Sequence, residues 1–187
     1  MNKLKNILLI IGWVVVATAN SYAVIDEALP IIEDQSLITS EELKEHAVMY
    51  NVIPKETDEV YLHEQIEKGN SVIVWILMSH EQKVLMIDQL KKMSKEKGGV
   101  TINYPSGFYV NGINGVLYNS IRGDEVFSDA KKGVGVIFEN IALQEGDYDD
   151  GSGQSKIEIL KKHLGEEMFE LYKVWFPERY KALVDSQ

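Results

Sequence analysis

Ser79-His-Glu-Gln-Lys-Val-Leu-Met-Ile-Asp-Gln-Leu-Lys-Lys-Met93, followed after a short gap by Pro105-Ser-Gly-Phe-Tyr-Val-Asn-Gly-Ile-Asn-Gly-Val-Leu-Tyr-Asn-Ser-Ile121, decides how this chain folds. In the first segment Ser79 and Gln82 form a capping box, and Val84, Ile87, Leu90 and Met93 recur at helical spacing on one face. Lys91, Lys92, Lys95 and Lys97 take the other face, toward solvent, and Gly98-Gly99 ends the element. In the second segment Pro105 suits a first helical turn, where its missing amide costs nothing. Tyr109, Ile113, Val116 or Leu117, and Ser120 then trace one stripe. Gly112 and Gly115 inside it each cost about 1 kcal/mol against alanine, a cost that close approach of a neighbouring helix offsets. Asn111-Gly112 also fits a type I′ hairpin turn, but the helical stripe outweighs it. The two segments are expected to pack as a helical pair, with later elements closing over the seam.

Working outward, Val72-Ile-Val-Trp-Ile-Leu-Met78 is an unbroken apolar run. Periodicity cannot separate a buried strand from helix there, and no second run pairs with it as a sheet, so helix or an extended lead-in is favoured. Upstream, Thr39-Ser-Glu-Glu42 is a capping box whose helix carries Leu43, Ala47 and Val48 and is expected to end at Pro54. Thr57-Asp-Glu59 starts another helix, stopped by Gly69-Asn70. Downstream, Val100-Thr-Ile102 is a short extended link and Arg122-Gly-Asp-Glu125 a turn. Ser128-Asp129 caps a helix through Val134, Ile137, Phe138, Ile141 and Ala142. After an acidic, glycine-rich loop, Ser155 and Glu158 form a further capping box. It opens a helix to Leu164 with Gly165 as its stop; Glu166 to Phe176 is a second amphipathic helix, and Pro177 breaks it and begins a last short turn through Tyr180 and Leu183. The expected architecture is all-α: an irregular bundle of about five or six helices after a cleaved leader.

That leader is residues 1–23. Lys3 and Lys5 precede an apolar core from Ile7 to Ala19, and Ser21-Tyr-Ala23 supplies the small residues of a cleavage site. Residues 24–38 read as a flexible arm and 39–187 as a single helical domain. The apolar core is too short for a comfortable span, so no membrane span is expected after cleavage, and the product is expected to be exported, periplasmic or secreted. There is no cysteine, hence neither a disulfide framework nor a lipid-modified cysteine. Losing Lys3 and Lys5 and no acid takes the net charge from -10 to -12. Such a chain repels nucleic acid and favours a basic protein or a metal cation.

Chemical motifs are sparse. Asp147, Asp149 and Glu158 fall at the first, third and twelfth positions of a calcium loop, but Gly151 and Ser152 occupy the fifth and sixth, where Asp or Asn and Gly belong. Calcium binding through that loop is therefore an alternative reading, set against a solvated turn between helices. His46, His63, His80 and His163 show no ligand spacing and are expected on helix surfaces. Ser128-Asp-Ala-Lys131 and Ser94-Lys-Glu-Lys97 match Ser-x-x-Lys, yet the Lys-Thr-Gly companion of that chemistry is missing. Paired acids such as Asp149 and Asp150 could in principle cleave glycosides, but such neighbours are expected by chance in a chain this acidic; a hydrolase with an unrecognised site is a separate alternative. Tyr104, Phe108, Tyr109, Asn111, Asn114 and Tyr118 form the candidate contact surface, weighed against ordinary core packing of aromatics.

Trp75-Ile-Leu-Met-Ser79 leading into Lys83, then Tyr109, Ile113 and Tyr118, then Ala130, resembles small exported bacterial helical proteins of unassigned function. The resemblance covers the middle third of the chain and implies no activity. The favoured function is a non-enzymatic binding or accessory protein of the cell envelope with a protein partner.

Overall fold

The computed structural model describes residues 37–121 and 133–186. The leader, most of the arm, the Arg122 turn, and the Ser128-Asp129 cap with Ala130 lie outside the described residues. Among these the architecture is all-α, with eight helices and no strand: α1 Ser40–Met49, α2 Glu59–Glu67, α3 Ser71–Leu77, α4 His80–Gly98, α5 Ser106–Ser120, α6 Val134–Gln144, α7 Lys156–Trp175 and α8 Pro177–Asp185. The helix count exceeds the expected five or six because short stretches, such as the apolar run at α3 and the segment after Pro177, form helices of their own.

Local signals fix most boundaries. The Thr39 hydroxyl accepts from the Glu42 amide at 3.1 Å, while the Glu42 carboxylate accepts from the Thr39 amide at 2.8 Å. Ser155 and Glu158 repeat that exchange at α7, and Ser79 and Gln82 at α4. Asp58 caps α2 by accepting from the Tyr61 amide. α1 ends at Met49 rather than at Pro54, because Asn51 adopts φ 58° and turns the chain out of the helix. Its carbonyls close locally: the Tyr50 amide donates to His46 and the Val52 amide to Ala47. The Asn111-Gly112 pair sits inside the continuous α5, which excludes the hairpin.

The described residues gather into two compact units. The first comprises the described part of Met1–Gln89 together with Pro105–Phe138. Here α1 packs against α3 and α5, and α2 against α3. Leu43, Ala47, Trp75, Ile76, Ile87, Tyr109, Val110, Ile113 and Phe138 are almost wholly removed from water. Burying each large apolar side chain of this kind contributes roughly 1.5–3 kcal/mol. Gly115 is buried on α5. α4 and α5 are tied by the Lys83–Asn114 and Ser106–Asp88 hydrogen bonds.

The second unit comprises Leu90–Tyr104 and Glu139–Gln187. Its core is Leu143, Ile159, Leu160, Phe169, Tyr172 and Leu183, flanked by Tyr148, Ile157, Leu164, Phe176 and Tyr180. α7 and α8 pack on each other. α7 is broken at Gly165, whose φ of 76° and ψ of 166° leave the helical region, so the two helices read from the sequence abut at a glycine joint. Thr101 and Asp149 exchange backbone hydrogen bonds of 2.7 and 3.1 Å, an isolated antiparallel bridge that pins the link after α4 to the acidic loop.

Candidate functional site

The most unusual group in the first unit is Lys83, a fully buried lysine in the second turn of α4. Its ammonium donates to the Asn114 carbonyl oxygen at 3.2 Å and lies 5.5 Å from the centre of the Trp75 ring. Asn114, on α5, also accepts from the Trp75 indole N–H at 3.0 Å and donates its amide to the Ile38 carbonyl at 2.9 Å. One carboxamide therefore joins α3, α4, α5 and the chain entering α1. Burial pulls the Lys83 amine down to about 8, opposed by the field of the Glu41 carboxylate. Such an amine is partly uncharged near neutral pH, the state that nucleophilic lysines need. Its complete burial gives it a positioning role in the core as described.

Sequence reasoning assigned Lys83 no site role, although a signal was present. Lys83 precedes Ile87 by four residues and Leu90 by seven, which sets it on the same buried stripe. The six contact-surface residues separate. Tyr109 and Asn114 lie in the interior, Tyr109 edge-on to Phe138 at 4.8 Å and to Phe108 at 5.4 Å. Phe108, Asn111 and Tyr118 are half-buried, with Tyr118 stacked on His46 at 3.9 Å. His46 is buried rather than on a helix surface, because the Ile121 carbonyl accepts from its Nε2 at 3.0 Å and the tyrosine covers its ring. Tyr104 belongs to the second unit and is exposed.

Around Tyr104 the Asp147 carboxylate accepts from the Asn103 amide at 2.9 and 3.0 Å and from the Tyr104 amide at 2.6 Å. The Lys91 ammonium donates to the Tyr104 carbonyl. Burial, with the neighbouring Asp147 and Glu145 carboxylates, pushes the Tyr104 phenol up. The other residues of the calcium reading have local duties. Asp149 accepts from the Gly151 amide and Glu158 from the Ser155 amide. Among the described residues no group of three or more His, Cys, Asp or Glu is placed to hold a metal ion. His63 meets Glu67 at 3.3 Å, and His163 donates to the Ile159 carbonyl. No helix of the described residues is long and apolar enough to cross a membrane.

No known family model, curated protein or solved structure matches the chain.

Proposed function

We propose that this is an exported, non-enzymatic binding or accessory protein of the cell envelope, whose acidic helical surface engages a cationic protein. The supporting observation is the charge of α1, α2 and their link. Between Thr39 and Lys68 stand eight carboxylates, all exposed, against three lysines. Glu42 and Asp58 serve as helix caps, and Glu64 pairs with Lys68. Glu41, Glu45, Glu56 and Glu59 add a negative field of the kind that steers a basic partner into encounter.

The test is to cross-link the protein to its neighbours in the producing cell's envelope fraction, purify the captured partner, and titrate the pair. The partner is expected to be rich in lysine or arginine. Affinity is expected to weaken about tenfold between about 50 and about 300 mM salt, and again in the double variant Glu45→Lys, Glu59→Lys, chiefly through a slower association. An affinity unmoved by both salt and charge reversal overturns the reading.

A further inference from the structure

The second half of α7 carries two apolar faces where a core helix needs one. Phe169 and Tyr172 point into the core of the second unit. Leu171, Val174 and Trp175 do not: Val174 is 74% exposed and Trp175 46%. Spacings of three and four residues place Leu171, Val174 and Trp175 side by side on one helix face. Single exposed apolar residues are ordinary, but an adjacent group that includes tryptophan marks a contact surface. Trp175 is also supported from below, its ring edge-on to Phe176 at 6.3 Å and Phe176 edge-on to Tyr172 at 5.3 Å. An aromatic held in this way loses little freedom on binding.

The exposed charges of this half-helix are acidic. Glu166, Glu167 and Glu170 are exposed on the same half-helix. Its one cation, Lys173, is half-buried, pairs with Glu170 and lies over the Phe169 ring at 5.5 Å, on the core side. Glu166 pairs with Lys161. An apolar strip edged by carboxylates repels an anionic lipid surface and complements an apolar stripe edged by cations.

We propose that this face docks a basic amphipathic helix of the partner protein. The partner's apolar stripe covers Leu171, Val174 and Trp175, and its lysines or arginines run alongside Glu167 and Glu170. The inference rests on the reading of a cationic protein partner and assigns it a seat.

The probe is a synthetic amphipathic helix of leucine and lysine with all its leucines on one face, titrated into the full chain by calorimetry at low salt. Saturable binding is expected. Trp175→Ala and, separately, Val174→Ser are each expected to weaken it about tenfold while leaving the melting temperature unchanged, and Glu167→Lys to weaken it in a salt-dependent way. Affinity that survives the first two variants overturns the proposal. If the loss follows Glu45→Lys, Glu59→Lys instead, the broader reading stands and the α7 seat falls. If no binding occurs at all, the seat also falls, and the envelope cross-linking decides the broader reading by itself. Self-association abolished by Trp175→Ala makes the occupant a second copy, and tryptophan-dependent binding to zwitterionic vesicles makes it a lipid surface. Either result overturns the proposal.

Discussion

Asn114 makes three hydrogen bonds with a single side chain, to Trp75, Lys83 and Ile38. Truncation to alanine leaves a buried indole N–H and a buried ammonium without that acceptor. Asn114→Ala is therefore expected to cost about 2–4 kcal/mol by denaturant titration. Lys83 gives the protein an unusual alkaline response. Its native amine titrates near 8 against an ordinary 10.5, so between those values the unfolded chain binds more protons and stability rises with pH. Raising the pH from 7 to about 9.5 should stabilise the wild type by roughly 2 kcal/mol relative to Lys83→Met, which lacks the titrating group. Above about 10 the trend reverses, because burial pushes the Tyr172 phenol up to about 12 and the unfolded chain ionises first. A wild type and a Lys83→Met variant with parallel stability profiles between pH 7 and 9.5 would refute this assignment. The lysine's place on the α4 stripe was readable from spacing. Its burial was not, because the acceptor that makes it tolerable sits 31 residues away on α5.

At the scale of elements, what was legible was what the chain settles locally. All three capping boxes form as read, since donor and acceptor lie three residues apart. Gly165 breaks α7 where the sequence placed a stop. The apolar run of α3 carries no period by which helix and strand could be told apart, because every residue from Val72 to Met78 is apolar. The acidic loop was legible only as a spacing of carboxylates along the chain. Asp147 spends its carboxylate on amides 43 and 44 residues upstream, a pairing no local pattern announces. Asp147→Ala should accordingly speed hydrogen exchange at the Asn103 and Tyr104 amides by at least about tenfold. Gly146 offers a second test. It has φ 66°, and an added Cβ would strike the Leu183 side chain and crowd Lys156. Gly146→Ala combines backbone strain with overpacking and should cost about 2–3 kcal/mol, whereas Gly135→Ala, where a Cβ meets open space, should cost nothing measurable.

Over the whole molecule the balance of charge is as informative as the fold. A net charge of -10 on 187 residues makes the folded chain repel itself. Raising salt from about 10 to about 200 mM should thus raise the melting temperature by a few degrees; a fall would show that attractive pairs such as Arg179–Glu145 outweigh the repulsion. The composition made this acidity legible, but the pairing of acid with exposed tryptophan on one half-helix needed the structure. The sealed amine of Lys83 carries one more consequence. Burial alone lowers its proton affinity, so once water reaches it the amine reacts with an acylating reagent as an ordinary lysine does. Surface lysines will be modified at once and this one only when α3, α4 and α5 part. Mass-spectrometric timing of its acylation thus becomes a clock for the opening of the first unit, set by the burial of one amine.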